Sequence, residues 1–194
     1  MRTCEQVANG ILTINEFLSL SECSCHITQS EELGYKRTTF GHAEQQVSMP
    51  RYRNNDRVFF EDTVLAGKFW ERSREHVPRI VDEHETIGVS ERFRFYRYHK
   101  GQFFGRHADG PCRRSNGERS RLTLIVYLND DFSGGETIFD LATIEPRAGM
   151  ALIFIHGLMH EGAEVLDGSK YVLRTDVMCA AEPFELDDEP ECDR

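Results

Sequence analysis

Short runs of alternating apolar and polar residues, separated by glycine-containing turns, begin near Arg92 and continue to Met178. A period of two is typical of β-strands. Turns this short leave no room for the crossover helices of a parallel sheet. The pattern therefore predicts an all-β core with flanking helices (α+β), arranged as a double-stranded β-helix, or jelly roll. The predicted strands are Phe93–Tyr98, Phe103–Ala108, Arg121–Leu128, Glu136–Phe139, Ala142–Glu145, Met150–Ile155, Glu161–Val165 and Lys170–Met178.

The first ninety residues show a mixed pattern. Ile11 to Phe17 is weakly strand-like, with Leu12 and Ile14 on one face. Ser19 followed by Glu22 fits a capping box that opens a helix, and Gly34 would close that helix. A second helix is predicted from about Asp62 to Val77, with Leu65, Phe69, Trp70 and Ser73 on one side and Pro78 limiting its end.

This pattern divides the chain into three parts. Residues 1–90 are predicted to be an N-terminal elaboration of helices and strands that packs on the core. Residues 91–180 are predicted to form the jelly-roll core, and 181–194 an acidic, solvated tail. Between the two predicted helices, MPRYRNNDRVFF is interpreted as a turn-rich cationic stretch with Arg51, Arg53 and Arg57.

Composition narrows the possible functions. The net charge of −10 argues against a sequence-independent grip on nucleic acid phosphates. No apolar run is long enough to span a bilayer, and the N-terminus lacks the features of a signal peptide, so a cytoplasmic protein is expected. Six cysteines without a CxxC pair are expected to be reduced and structural or incidental, not zinc ligands.

The candidate metal ligands are His107, Asp109 and a histidine far downstream. In His107-Ala108-Asp109, the imidazole and the carboxylate share one strand face and can converge on one ion. His160, at the start of the seventh predicted strand, supplies a second imidazole. Two histidines and one carboxylate with open positions are the arrangement of non-haem Fe(II) oxygenases.

Two candidate cations follow His160 on the last predicted strand. Lys170, Val172, Arg174 and Asp176 share one face by period two, while Tyr171, Leu173 and Val177 occupy the other. A cation on the interior face of a jelly-roll strand is costly unless it meets an anion. The carboxylate of a cosubstrate would be such an anion, and either Lys170 or Arg174 could bind it.

Five ordered stretches within about 93–179 carry a family resemblance: YRYHKGQFFGRHAD, RLTLIVYLND, GGETIF, the P-x-x-G of PRAGMALIF, and HEGAEVLDGSKYVLRTDVM. The chain resembles the prolyl 4-hydroxylase-like Fe(II)/2-oxoglutarate oxygenases, and the last block also resembles the lysyl hydroxylases. The resemblance implies Fe(II), 2-oxoglutarate and O2, with ascorbate as a further candidate.

Matched residue by residue, the resemblance implies His107, Asp109 and His160 as iron ligands and Lys170 as the 2-oxoglutarate anchor. It places Tyr127 against 2-oxoglutarate and Tyr98 in the pocket wall. Phe104 departs from the collagen-type pattern, in which a tyrosine is common at that position. The missing hydroxyl puts collagen-like substrate handling in doubt.

Several residues compete for these roles. His156 lies four residues before His160, but the resemblance aligns His160 with the HEG block, so His156 is expected in a loop or behind the ligands. His42-Ala43-Glu44 is a second H-x-carboxylate, interpreted as surface. The remaining question is whether two arginine groups attract an anionic substrate or offset nearby acids; these groups are Arg51, Arg53 and Arg57, and Arg113, Arg114, Arg119 and Arg121.

The leading hypothesis is a dioxygenase that hydroxylates a prolyl or other amino-acid side chain, in a protein or a small molecule, with release of succinate and carbon dioxide. A catalytically silent jelly roll that binds a metal or a partner is one alternative. Nucleic-acid dealkylation by the same chemistry is another, disfavoured by the net acidity. No membrane association is expected.

Overall fold

The computed structural model describes residues 2–37 and 52–184. This part of the chain contains two helices, α1 (Leu20–Leu33) and α2 (Thr63–Ser73). The first six strands are β1 (Cys4–Ala8), β2 (Ile11–Ile14), β3 (Lys36–Arg37), β4 (Asp56–Glu61), β5 (Ile80–Val81) and β6 (His84–Val89). The next five are β7 (Arg92–His99), β8 (Phe104–His107), β9 (Arg119–Tyr127), β10 (Ser133–Gly134) and β11 (Thr137–Phe139). The last five are β12 (Thr143–Ile144), β13 (Ala151–Ile155), β14 (His160–Gly162), β15 (Val165–Asp167) and β16 (Ser169–Cys179).

These strands form a large and a small antiparallel sheet, as expected of a jelly roll. The large sheet has the order β1-β2-β13-β9-β16-β7-β4-β3, and β6, with β5 beside it, also pairs with β16. The small sheet has the order β12-β11-β14-β8, and β10 pairs separately with β15. The order brings strands that are distant in sequence together, with β9 and β7 on either side of β16.

Side chains on the two faces of the large sheet pack in two different hydrophobic cores. On β13, Ala151 and Ile153 pack in the cluster that also contains Phe69 of α2. Leu152 and Phe154, on the opposite face, pack in a second cluster with Phe139 of the small sheet. Burying each such large apolar side chain contributes about 1.5–3 kcal/mol. The second core lies between the sheets, and it is the one that surrounds the candidate site.

The two helices follow the predicted signals closely. Ser19 accepts from the backbone of Glu22 and the Glu22 side chain accepts from the backbone of Ser19, which confirms the capping box; Gly34 ends α1. Helix α2 begins after Asp62, whose side chain caps it, but it ends at Ser73 rather than near Val77. Phe69 and Ser73 are fully buried against the large sheet, as the predicted helix face requires.

Seven of the eight predicted core strands are confirmed to within two residues at each end, and two predictions need correction. The segment Glu161–Val165 is not one strand, because β14 and β15 pair with different neighbours. The stretch interpreted as turn-rich is β4 over Asp56–Glu61, where pairing with β7 outweighs the polar composition. The short strands β1, β3, β5, β6 and β10 were also missed, because two to six residues carry little periodicity.

The division at residue 90 stays a prediction. In the described part of 1–90, β1, β2, β3, β4 and β6 join the same large sheet as the core strands. The tail over 185–194 lies outside the described residues, as do His42, Glu44 and Arg51. Neither described helix is long and apolar enough to cross a bilayer.

Candidate metal centre

Three side chains that are distant in sequence meet at one edge of the small sheet. Strand pairing places His160, the first residue of β14, directly opposite His107, the last residue of β8. Asp109 follows two residues after His107. One potential ligand atom from each of the three residues lies within 4.8 Å of the other two. In the described part of the chain, these three residues form a group that could hold a metal ion. The predicted ligands are therefore brought together.

Backbone carbonyls fix how the two imidazoles point. Nδ1 of His107 lies 2.8 Å from the oxygen of Gly105, and Nδ1 of His160 lies 2.9 Å from that of Leu158. A ring that donates through Nδ1 keeps its lone pair on Nε2. These Nε2 atoms lie 3.7 and 3.8 Å from the carboxylate oxygens of Asp109, so both lone pairs face the carboxylate.

Both histidines are held neutral, which is the form that binds a metal. Burial, reinforced by the neighbouring His160, lowers the pKa of His107 to about 4. Burial likewise lowers the pKa of His160, with Asp109 partly opposing the shift. Aromatic neighbours also restrain the orientation of the two imidazole rings. Phe104 stacks on His107 at 3.6 Å between centroids, and Phe154 meets the His160 ring edge-on at 4.6 Å.

Asp109 is held ionised and in place by two donors. Nη1 of Arg174 lies 2.7 Å from Oδ1, and the hydroxyl of Thr123 donates to Oδ2 at 2.7 Å. Burial opposes ionisation, but the Arg174 guanidinium and the nearby histidines outweigh it and hold the pKa of Asp109 well below its usual range. Two neutral imidazoles and one carboxylate are thus preformed, a donor set that fits Fe(II).

A pocket runs from this centre between the two sheets to Lys170. His107, Phe104, Tyr127 and Lys170 are among the residues that line it. Lys170 is 4% exposed, and its Nζ donates to the carbonyl of Gly135 at 2.5 Å. Burial lowers the pKa of Lys170 to about 7, with Glu136 partly opposing the shift. Among the described residues, no carboxylate forms an ion pair with this ammonium group.

The two predicted tyrosines stand beside this lysine. The rings of Tyr98 and Tyr127 have their centroids 5.4 and 5.2 Å from Nζ of Lys170. The hydroxyl of Tyr127 shares a 2.7 Å hydrogen bond with that of Thr137. Burial raises the pKa of both phenols above their usual range, so both stay neutral donors. The far end of the pocket therefore offers a cation and phenol groups to a carboxylate.

The competing residues take other positions. His156 is partly buried near Asp176, with Nε2 3.6 Å from Oδ1, and does not join the triad. His42 and Glu44 lie outside the described residues. In the 113–121 segment, Arg114 pairs with Glu91 and Glu118, and Arg121 pairs with Asp82, so these arginines offset acids. The five described cysteines are free: Cys4, Cys23, Cys25, Cys112 and Cys179.

Sequence reasoning missed the polar residues that support the ligands. Thr123 lies on the same face of β9 as Tyr127 by period two, so alternation could have placed it in the pocket wall. Thr137 offers no such signal, since β11 is only three residues long. Arg53 was assigned to a turn but is buried, with its guanidinium carbon 4.0 Å from the centroid of the Phe104 ring.

Comparison with known proteins agrees with this geometry. Residues 93–175 match the family model of the 2OG-Fe(II) oxygenase superfamily. A putative prolyl 4-hydroxylase of Acanthamoeba polyphaga mimivirus is 30% identical over 96 residues, which are 39% of this chain and 40% of the relative. A PKHD-type hydroxylase of Acaryochloris marina is 28% identical over 179 residues, or 84% of this chain and 75% of the relative. The chain thus spans under half of the first relative's length.

Two solved structures share the fold at low sequence identity. The viral collagen prolyl hydroxylase of Paramecium Bursaria Chlorella virus-1, solved as a 2OG complex, has a TM-score of 0.65 and 22% identity, covering 88% of this chain and 97% of that one. A Trichoplax adhaerens prolyl hydroxylase, solved with a hypoxia inducible factor peptide fragment, has a TM-score of 0.66 and 21% identity, covering 88% and 84%. Over residues 93–175 the chain is therefore similar to the 2OG-Fe(II) oxygenase superfamily, and it shares sequence similarity and the fold with prolyl hydroxylases; the donor set of His107, Asp109 and His160 suits the Fe(II) of that superfamily.

Proposed function

We propose that this protein is a dioxygenase in which His107, Asp109 and His160 hold Fe(II) and Lys170 anchors 2-oxoglutarate. The observation that carries the proposal is the pairing of a preformed two-histidine, one-carboxylate centre with a buried lysine that lacks a carboxylate partner among the described residues. When bound, Fe(II) and 2-oxoglutarate supply the oxidation: O2 is consumed, 2-oxoglutarate becomes succinate and carbon dioxide, and a substrate C–H is hydroxylated.

The choice between the two candidate cations rests on their partners. Arg174 already pairs with Asp109 at 2.7 Å and also lies 3.5 Å from Asp176. Its charge is therefore matched before any cosubstrate binds. Among the described residues, the ammonium of Lys170 contacts a carbonyl and two aromatic rings and no carboxylate, so a bound carboxylate would offset the cost of burying this charge. We assign the distal carboxylate of 2-oxoglutarate to Lys170, with Tyr127 and Tyr98 beside it.

The protein's own groups would act by positioning. The two backbone carbonyls orient the imidazoles, and Arg174 with Thr123 orients the carboxylate. Aromatic side chains, including Phe104, Phe139 and Phe154, surround the histidines and exclude water from their rings. Such fixed outer contacts keep the ligand geometry ready for the metal.

We propose a prolyl or other amino-acid side chain, in a peptide or in a small molecule, as the hydroxylated group. The names of the relatives support this, since one is a collagen prolyl hydroxylase and another was solved with a peptide. A cytoplasmic location and ascorbate as a reductant belong to the same proposal. Cell fractionation would test the first, and the dependence of sustained turnover on ascorbate would test the second.

The experiment is turnover of labelled 2-oxoglutarate with Fe(II), followed by a mass search. Succinate should form when Fe(II) is present, even slowly and without a substrate, and should vanish with a chelator. Incubation with peptide and amino-acid pools should then yield products heavier by one oxygen. A failure to release any succinate would favour the catalytically silent binding module. Repair of a methylated oligonucleotide would instead favour the dealkylase, which no described feature supports.

A further inference from the structure

A second buried cation, Arg53, stands beside the metal pocket. Its side chain is 6% exposed, and its backbone forms an isolated antiparallel bridge with Phe104 of β8. The guanidinium carbon lies 4.0 Å from the centroid of the Phe104 ring and 4.6 Å from that of Tyr96. Both rings line the pocket that contains the metal ligands. Arg53 is therefore part of the wall's immediate support.

The ring of Phe104 connects Arg53 to the metal centre. His107 stacks on Phe104 at 3.6 Å between centroids with an interplanar angle of 15°. Two groups this close cannot share one face of a phenyl ring, so Arg53 and His107 lie on opposite faces. The guanidinium is thus separated from the first candidate ligand by the thickness of one ring. A group bound to Arg53 would lie close to the reacting centre.

The hydrogen bonding of Arg53 is incomplete. Its Nε donates to the neutral side-chain oxygen of Asn55 at 2.6 Å. Its Nη2 is buried and has no hydrogen-bond partner among the residues that the structure describes. No carboxylate of the described residues forms an ion pair with it, whereas Arg174 pairs with Asp109 and Arg94 with Asp176. Leaving a buried guanidinium unmatched is costly unless an anion arrives.

The electrostatics around Tyr96 show the same excess of positive charge. Burial opposes ionisation of this phenol, but the guanidinium groups of Arg174, Arg53 and Arg94 outweigh burial and lower the pKa of Tyr96. Asp109 and Asp176 offset two of these three cations. The positive charge that remains is that of Arg53. Lys170, at the other end, is already assigned to 2-oxoglutarate.

We propose that Arg53 binds a carboxylate of the substrate, so that the protein acts on carboxylate-bearing substrates. The unpartnered Nη2 of this guanidinium could donate a charge-assisted hydrogen bond to a carboxylate, and the fixed charge of an arginine suits that partner. The carboxylate is either that of a free amino acid or an acidic side chain next to the hydroxylated residue. This inference rests on the proposed function and names its substrate class.

The test measures binding next to the metal with matched acids and amides. The protein is loaded with Mn(II) and saturating 2-oxoglutarate without oxygen, and broadening of the probe's NMR lines by Mn(II) reports proximity. The first pair is N-acetylproline and N-acetylprolinamide. The second pair is N-acetyl-prolyl-aspartate and N-acetyl-prolyl-asparagine, both amidated at the C-terminus, so that they differ only in the side-chain carboxylate. In the unmodified protein, the acid of at least one pair should bind about tenfold tighter than its amide. The pair that responds identifies the source of the carboxylate.

Variants of Arg53 decide whether the preference comes from this side chain. In Arg53→Gln, the acid and its amide should bind with about equal affinity. Thermal unfolding of this variant shows whether it folds. Arg53→Lys keeps the charge but loses the planar fork, so it should retain a weaker preference. If Arg53→Gln does not fold, an undiminished preference in Arg53→Lys would overturn the proposal. Arg113→Gln, which removes the same charge at an exposed position, should bind like the unmodified protein.

The outcomes separate this inference from the proposed function. Equal binding of acid and amide, no binding of either acid, or an acid preference that survives Arg53→Gln would each overturn the role of Arg53. Succinate release by the unmodified protein with Fe(II) tests the dioxygenase independently. A protein that releases succinate but shows no acid preference keeps its proposed function and loses only this inference.

Discussion

The guanidinium of Arg174 donates to Oδ1 of Asp109 over 2.7 Å, while the hydroxyl of Thr123 donates to the other carboxylate oxygen, Oδ2. This contact gives Arg174 a structural task at the candidate metal centre. It also explains why Lys170, four residues earlier on the same face of β16, is the cation that remains available for a cosubstrate. Two basic residues that look equivalent along the strand therefore have different roles.

Replacement of Arg174 should weaken metal binding more than cosubstrate binding. In Arg174→Gln, Asp109 loses the donor that orients one oxygen, and we expect Fe(II) affinity to fall about 10- to 100-fold. Loss of orientation should outweigh the removal of a positive charge near the metal. Anaerobic titration with Fe(II) measures this effect. Unchanged Fe(II) affinity, with weakened 2-oxoglutarate binding instead, would show that Arg174 is the anchor.

Replacement of Lys170 should weaken 2-oxoglutarate binding more than metal binding. Lys170→Ala removes a charge-assisted hydrogen bond to the distal carboxylate, which is worth about 1.5–3 kcal/mol. The 2-oxoglutarate concentration needed for half-maximal succinate release should therefore rise about 10- to 100-fold. Fe(II) affinity should change little, because Lys170 touches none of the three ligands. An unaltered 2-oxoglutarate requirement would refute the assignment.

The affinity for 2-oxoglutarate should fall as the pH rises above about 7. Burial lowers the pKa of Lys170 to about 7 in the free protein, and a bound carboxylate would raise it. Because the pKa is higher in the complex, the contribution of the ammonium is complete below pH 7 and is lost above it. The loss should reach up to about tenfold per pH unit. Equilibrium binding with Mn(II) at pH 6.5, 7.5 and 8.5, without oxygen, measures it.

Lys170→Arg supplies the control for this pH dependence. A guanidinium stays protonated over the whole range. The affinity of the Lys170→Arg variant for 2-oxoglutarate, whatever its absolute value, should therefore change little between pH 6.5 and 8.5. A slope in the variant equal to that of the unmodified protein would place the titrating group elsewhere.

Replacing His107 and replacing Asp109 should have different effects on the free energy of unfolding. His107→Ala and Asp109→Ala should both abolish Fe(II)-dependent succinate release. Asp109→Ala also leaves Arg174 buried next to a weaker partner, Asp176 at 3.5 Å, and should cost about 3–5 kcal/mol of unfolding free energy. His107→Ala breaks no buried ion pair, so denaturant unfolding should show a smaller loss. It is the cleaner test of the ligand assignment.

The sequence was most informative where local rules act alone. The capping box at Ser19 and Glu22 and the glycine at position 34 predicted both ends of α1, because these signals depend on neighbouring residues. Alternation predicted the faces of β16, including the shared face of Lys170 and Arg174. It failed for β4, where arginines and asparagines precede a strand that pairing with β7 stabilises.

The sequence by itself determined the β-rich core, the candidate ligands and the two candidate cations, because strand period and residue chemistry are local properties. Only the tertiary structure decided which cation is already paired, since Arg174 meets Asp109, 65 positions earlier in the chain, through the packing of one sheet on the other. It also placed Arg53 behind Phe104, in a stretch whose composition resembles a loop. Partners of this kind depend on which strands lie opposite each other, and that information is not present in any single segment.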